Sequence, residues 1–156
     1  MKKLLLFISI ASLMMLQACG KEAVKESENQ VEVSISIEQI KADITVLNEA
    51  KQQLLPDSDY LLEPTMISFD ENDSAFDVLQ NACEQNNIQL EFSQNIDGSI
   101  YVEGIGNLYE MDASDMSGWL FKINGEMASV GADSYIVEAN DQLNWYYCVD
   151  YMKEFE

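Results

Sequence analysis

Apolar and polar residues alternate in several short runs after residue 30, and this pattern predicts a domain built mainly from strands. Val31, Val33, Ile35 and Ile37 alternate with polar residues, and a period of two is typical of a strand with one buried face. The same alternation recurs at residues 65–69, at Ile88, Leu90 and Phe92, at Ile100 and Val102, at Trp119, Phe121 and Ile123, and over residues 142–149.

Two dipeptides predict hairpin turns between these runs. Asp97-Gly98 lies between the third and fourth runs, and Asn124-Gly125 follows the run that contains Trp119. Asn-Gly and Asp-Gly favour two-residue hairpins because both central residues of such a turn adopt positive φ angles. Most neighbouring strands are therefore predicted to be antiparallel.

One helix is predicted from residue 75 to residue 86. Ser74 is suited to cap it, and Asp77 lies at the third helical position, which is close to a capping box. Helical spacing places five apolar residues on one buried stripe: Ala75, Val78, Leu79, Ala82 and Cys83.

A weaker helical spacing runs over residues 44–55 and ends at Pro56. Together these elements predict an α+β domain, in which an antiparallel-rich sheet is covered by at least one helix.

The first 18 residues are predicted to be a signal peptide. Lys2 and Lys3 precede an apolar run over residues 4–16, which is too short to span a bilayer comfortably. The stretch Leu16-Gln17-Ala18-Cys19 resembles the lipobox of bacterial lipoproteins, in which the cysteine is acylated. An ordinary cleaved signal with an incidental cysteine is the alternative.

This resemblance implies a lipid anchor at Cys19 and a location on the extracytoplasmic face of the cell membrane. Residues 19–30 are polar and suit a flexible tether, so the domain is expected to span residues 31–156.

The charge of the chain argues against nucleic acid as a partner. The chain carries 28 acidic residues against 8 basic ones, for a formal net charge of −20 at pH 7. Such a surface repels phosphate backbones and anionic lipid headgroups, so an anchor is needed to hold the domain at a membrane.

The chain contains no histidine, which removes the usual general base and metal ligand and argues against an enzyme. Paired carboxylates could act as in a glycosidase, but they do not identify an active site here. With 28 acidic residues, some pair lies at the separation that glycoside hydrolysis needs by chance. The segment from Asp70 resembles a calcium loop, but Ala75 and Asn81 occupy its glycine and glutamate positions. We therefore expect no catalytic residues, no metal and no cofactor.

Two cysteines remain in the domain, Cys83 on the helical stripe and Cys148 in the last strand. If Leu143, Trp145 and Tyr147 face the core, Cys148 points to the opposite side of its strand. We expect two unpaired thiols, although export to an oxidising space leaves a disulfide open.

Seven motifs of the domain form a recognisable set: Ala75 to Leu79, residues 101–110, Gly118-Trp119, Asn124-Gly125, Ser129-Val130-Gly131-Ala132, Tyr135 and Asp141-Gln142-Leu143-Asn144-Trp145. This set resembles bacterial domains similar to the C-terminal β-domain of transcobalamin and intrinsic factor. The resemblance implies a β-grasp-like fold with one helix on a mixed sheet. In the eukaryotic relatives, this domain forms half of a clamp around cobalamin, and the chain is too short to contain the helical other half.

One departure is Asn140-Asp141, where the family usually has Gly-Asp. Asparagine also tolerates a left-handed turn, so the fold is expected to hold.

The aromatic residues in the C-terminal third of the chain have two interpretations, core packing and ligand binding. Trp119, Phe121, Trp145 and Tyr147 alternate as one sheet face, which favours core packing. Residues 105–117 are predicted to form a loop. Loop residues are harder to bury, and apolar groups on loops are typical of binding surfaces. The candidate ligand-binding residues are Tyr109, Met116, Ser117, Trp119, Met127, Val130 and Tyr135.

The expected function is a membrane-anchored, non-catalytic binding module. It would capture a corrinoid such as cobalamin, or another small ligand, for a membrane transporter or uptake system. The alternative is a protein-interaction or adhesion module at the cell surface.

Overall fold

The computed structural model of the protein describes residues 29–155, without the side chain of residue 155. The predicted signal peptide and Cys19 lie outside the described residues. Within the described range, no helix is long and apolar enough to cross a membrane. The strands are β1 Gln30–Ser36, β2 Tyr60–Ser68, β3 Leu90–Gln94, β4 Ile100–Ile105, β5 Leu108–Tyr109, β6 Gly118–Ile123, β7 Glu126–Met127 and β8 Gln142–Cys148. The helices are α1 Glu38–Ala42, α2 Glu49–Gln52 and α3 Ala75–Asn86, with short 3-10 turns at Ile44–Val46 and Lys153–Phe155.

A mixed five-stranded sheet forms the centre of the domain, with the strand order β2-β1-β8-β6-β7. β1 and β8 are parallel, whereas the other neighbours in this sheet are antiparallel. β3, β4 and β5 form a second, antiparallel sheet. The predicted α+β class and the β-grasp-like arrangement are confirmed.

Helix α3 forms as the sequence predicts. The Ser74 side chain accepts from the Asp77 backbone N–H, and the Asp77 side chain accepts from the Ser74 backbone N–H, which completes a capping box. The helix ends at Asn87, whose φ of 54° is left-handed. All five stripe residues and Phe76 are buried in the same core as Val33 and Ile35 of β1.

The helix predicted over residues 44–55 is wrong as a single element. Asn48 accepts a hydrogen bond from Lys51 N and begins α2 there, which divides the segment into a 3-10 turn and one short helix. The predicted apolar stripe is not a buried face, because only Leu47 is buried and Leu54 is 57% exposed. Helix α1, which precedes this segment, was not predicted.

The second strand is longer than the predicted residues 65–69. It begins at Tyr60 and contains Pro64, which broke the pattern in the sequence. A proline has no backbone N–H and is tolerated on an edge strand, and β2 is an edge of the main sheet.

Two further expectations differ from the structure. Phe92 was predicted on a buried face but is 42% exposed, and its ring packs edge-on against Phe76 with 4.7 Å between centroids. A register shift between Glu91 and Phe92 changes the alternation of β3 at this point. The predicted loop over residues 105–117 also contains the short strand β5.

The turn prediction at Asn124-Gly125 is confirmed by backbone angles, whereas Asp97-Gly98 lies in a longer connection in which only Gly98 has a positive φ, of 90°. Asn124 and Gly125 have φ angles of 53° and 84°, the two positive values that a two-residue hairpin requires. Asn140 has a φ of 73°, so asparagine adopts the left-handed conformation at the position where the family usually has glycine.

Both cysteines of the domain are buried and carry free thiols. Burial raises the pKa of Cys83 to about 12, and burial also raises the pKa of Cys148. Both thiols are therefore protonated and poorly reactive near neutral pH.

Candidate functional site

Two aromatic pairs join β6 to β8. Trp119 lies opposite Tyr147, and Phe121 lies opposite Trp145. The first pair is edge-to-face with 5.3 Å between centroids, and the second is stacked with 4.8 Å between centroids and 21° between planes. Directly opposed residues interact most strongly across a sheet, so these pairs stabilise the β6–β8 contact.

Trp119 and Tyr147 are also fixed by hydrogen bonds. The indole N–H of Trp119 donates to the carbonyl of Leu108 at 2.9 Å. The Tyr147 hydroxyl donates to the carbonyl of Tyr109 at 2.7 Å and lies 2.8 Å from the hydroxyl of Ser117. This pair therefore anchors β5 and the following loop to the main sheet.

A mainly apolar groove of about 220 Å³ lies between β4 and β6, beside the segment that follows β7. We call it the aromatic groove. Its walls come from four parts of the chain: Ile100, Tyr101 and Val102 of β4; Trp119, Leu120 and Phe121 of β6; Met127, Ala128, Val130, Gly131 and Ala132; and Trp145 of β8. Apolar walls of this kind suit the body of a small ligand or an apolar side chain.

The wall formed by residues 127–132 is held from both ends. Ala128 N donates to the carbonyl of Phe121 at 3.3 Å, and the carbonyl of Ala132 accepts from Phe76 N at 3.0 Å. The carbonyl of Tyr135 accepts from Ala75 N at 2.8 Å, so the first turn of α3 supports this segment. Val130 lies between these anchors and is 48% exposed.

Asp141 is a buried carboxylate that ties together the turns around this wall. Its Oδ1 accepts from Asn124 Nδ2 at 2.8 Å, and its Oδ2 accepts from the Tyr135 hydroxyl at 3.0 Å and from Glu138 N at 2.9 Å. Burial, and then the hydrogen bond to Asp141, raise the pKa of Tyr135 to about 12.

Polar groups at the groove are few. The indole N–H of Trp145 is buried and has no hydrogen-bond partner among the described residues. The hydroxyl of Tyr101 donates to the carboxylate of Glu110. Burial, followed by this contact, raises the pKa of Tyr101 to about 12.

The structure places four of the seven predicted binding residues at or beside the groove. Trp119, Met127 and Val130 line it. Tyr135 lies on the adjoining surface, where it lines a shallow cavity of about 340 Å³ together with Met127 and Val130.

The other three predicted residues lie elsewhere. Tyr109 packs against Lys51, whose Nζ is 4.5 Å from the ring centroid. Ser117 is only 2% exposed and contacts Tyr147. Met116 lies in the loop before β6, and its backbone carbonyl accepts a hydrogen bond from Tyr151 N. These contacts give all three positions a role in loop packing.

Several groove residues were not predicted as binding residues. Phe121 and Trp145 were assigned to the core, and Tyr101 and Val102 to an ordinary hairpin. They face one groove because β4 approaches β6 across the sheets, and no local pattern encodes that approach.

A second cavity of about 440 Å³ lies on the opposite face of the main sheet. Its walls are more polar, with Ser34, Asn144, Tyr146 and Lys122 among them. Asn144 donates to the Ser34 hydroxyl at 3.0 Å, and Lys122 lies over the Tyr146 ring at 4.9 Å. Many polar groups here already pair with one another, so the aromatic groove is the better candidate for ligand binding.

Within residues 29–155, no three or more Cys, Asp and Glu side chains cluster in a way that could hold a metal ion.

The mixed sheet, the packed helix α3 and the groove between the two sheets define an α+β domain. Residues 72–148, just under half of the chain, match the family described as a domain of unknown function, DUF4430. This match contains every residue that lines the aromatic groove.

One solved structure shares the fold. The chain is similar to haptocorrin, solved in complex with Cbi, with a TM-score of 0.53 and 17% identity. The similarity covers 76% of this chain and 25% of the haptocorrin chain, so the protein spans about a quarter of that relative. A proposed metal-binding protein from Ruminococcus gnavus ATCC 29149 has a TM-score of 0.46 and 14% identity, covering 78% of this chain and 97% of that one. No curated protein matches the sequence.

Proposed function

We propose that the protein is a lipid-anchored, non-catalytic binding module on the extracytoplasmic face of the membrane. Its aromatic groove captures a small ligand with an apolar body and delivers it to a membrane uptake system. A corrinoid such as cobalamin is the first ligand to test, because the fold resembles that of haptocorrin.

The observation that carries this proposal is the composition of the groove. Tyr101, Trp119, Phe121 and Trp145 converge on one apolar cleft, and Val130 on its rim is half exposed. Aromatic side chains provide large contact areas at low conformational cost, which favours ligand binding.

The size of the groove sets a limit on how the ligand is held. Its volume of about 220 Å³ lies below the 300 to 1,000 Å³ of ordinary ligand pockets. A ligand as large as a corrinoid therefore rests one edge in the groove and needs a second partner to be enclosed.

Calorimetry with the detergent-solubilised full chain and cobalamin tests the corrinoid version. We expect a measurable heat of binding with a Kd below about 100 μM. Val130→Asp places a charge on the rim and is expected to weaken binding by about tenfold or more. Ile96→Asp is the matched control, because Ile96 is fully exposed on the β3–β4 turn. The corrinoid version is rejected if cobalamin gives no heat at these concentrations.

A protein-interaction or adhesion module is the second candidate. Two exposed apolar side chains favour it: Val130, which lines the groove, is 48% exposed, and Ile136 is 49% exposed. A pull-down from membrane extract that returns one stoichiometric protein, independently of added cobalamin, would favour this function over ligand capture.

A further inference from the structure

The edge of β6 that faces the aromatic groove contains an unused backbone position. In an antiparallel pair, the N–H and C=O of one residue point to the same side, and residues two apart share that direction. The carbonyl of Ser117 accepts from Met111 N at 3.0 Å, and the carbonyl of Phe121 accepts from Ala128 N at 3.3 Å. Both carbonyls point away from β8.

Trp119 lies midway between these two residues, so its backbone N–H and C=O point to the same side. β6 pairs with β7 only at Lys122 and Ile123, and among residues 29–155 no strand pairs with Trp119 on that side. The residue itself lines the groove and is 8% exposed. One backbone donor and one backbone acceptor are thus directed to the edge where β4 approaches.

Trp145, which also lines the groove, carries a second polar group that has no partner within residues 29–155. Its side chain is 2% exposed, and its indole N–H is buried without a partner among the described residues. Buried polar groups that lack a partner are rare and unfavourable, so each such group calls for a specific explanation.

We infer that the ligand of the aromatic groove is an uncharged molecule with an apolar body and a carboxamide group. This inference rests on the proposed binding function and adds the chemistry that selects the ligand. A carboxamide both donates and accepts, so it matches the C=O and N–H of Trp119, and a carbonyl oxygen matches the indole N–H of Trp145.

The negative charge of the protein disfavours binding of the corresponding carboxylic acid, which is an anion at neutral pH, in the groove. The chain has a formal net charge of −20, and no lysine lines the groove, whereas Glu110 binds Tyr101 on its wall. A carboxylate would enter an apolar cleft without a cation to pair with it, which is strongly unfavourable.

Three probes that share a naphthalene ring system as their apolar body test the inference on the full chain in detergent. They are naphthalene carboxamide, the methyl ester of naphthoic acid, and the naphthoate anion. The body is small enough for the groove, and the probes differ in hydrogen-bond donor, in acceptor, in charge and, for the ester, in one methyl group. We expect the carboxamide to bind about fivefold to tenfold more tightly than the ester, which lacks the donor. We expect no binding of the anion at low salt.

Proton–nitrogen NMR identifies the groups that respond. The carboxamide is expected to shift the backbone amide of Trp119 and the indole N–H of Trp145, while the amide of Ile96 on the β3–β4 turn stays unchanged. Trp145→Phe removes the indole N–H and is expected to weaken both neutral probes by a similar factor. The NMR shifts decide the question if that variant folds poorly.

The outcomes separate this inference from the proposed function. Equal binding of ester and carboxamide, or binding without shifts at Trp119 and Trp145, overturns the inference and leaves the binding function in place. Tighter binding of the anion overturns it as well. If no probe binds at about 5 mM, a weak affinity for ligands of this size, the inference fails. The cobalamin titration then decides the corrinoid version separately.

Discussion

The Tyr135 hydroxyl donates a hydrogen bond to Oδ2 of Asp141 at 3.0 Å, and this contact joins the loop beside the aromatic groove to the start of β8. The same carboxylate accepts from Asn124 on the β6–β7 turn and from the backbone of Glu138. One side chain therefore holds the two turns that border the groove wall.

Removal of Asp141 is expected to destabilise the domain. Asp141→Ala leaves three donors without their acceptor, so we expect the free energy of unfolding to fall by about 2 to 4 kcal/mol. Tyr135→Phe removes only one donor and is expected to cost about 1 kcal/mol. Urea denaturation measures both. Glu71→Ala, at an exposed turn position, is the control and should change stability by less than about 0.5 kcal/mol. Equal stability of Asp141→Ala and this control would contradict the role of Asp141.

Alkaline pH is expected to destabilise the domain through Tyr135. Its pKa rises from 10.0 in the unfolded chain to about 12 in the folded protein, so the folded state holds the proton more tightly. The resulting stability is complete below pH 10 and is lost as pH rises towards 12. Tyr135→Phe should lose less stability over this window in urea denaturation. Because the pKa of Tyr101 is also raised, the free energy of unfolding of both proteins should still fall somewhat with pH in this window. If it falls equally in the wild type and in Tyr135→Phe, Tyr135 does not contribute to the pH dependence.

The two thiols of the domain are expected to react only after unfolding. Cys83 and Cys148 are buried, and burial raises the pKa of both. In a Cys19→Ser variant, a thiol reagent at neutral pH should modify neither cysteine rapidly in the native protein and both in denaturant. A denatured protein that shows no reactive thiol would instead contain a disulfide.

Acylation of Cys19 is the prediction on which the proposed location depends. Mass spectrometry of the protein from its host should find the mature chain beginning at a lipid-modified Cys19. Cys19→Ala should abolish the lipid and move the protein out of the membrane fraction. Cys83→Ala is the matched control, because it also removes a cysteine and should leave the anchor intact. An unmodified Cys19 in the host would leave the domain without its proposed attachment.

The local elements of the fold could be predicted from the sequence because their determinants are close in the chain. Ser74 and Asp77 define the start of α3, and Asn124-Gly125 defines its hairpin turn. The segment from 44 to 55 was misassigned because apolar spacing suggested one helix, whereas Asn48 begins a new one.

The groove was only partly predictable, for a different physical reason. Trp119, Met127 and Val130 were recognised from their types and positions near turns. Tyr101 comes from a different sheet, and its place in the groove depends on how β4 approaches β6. That approach is set by long-range packing, which single-residue patterns do not contain.

The aromatic groove also has an optical consequence. Trp119 and Trp145 are the two tryptophans of the chain, and both line the groove. Ultraviolet emission excited at the red edge of protein absorption therefore originates at this cleft alone. The unmodified protein carries its own fluorophore at the place where a ligand would enter, so occupancy can be followed without a label.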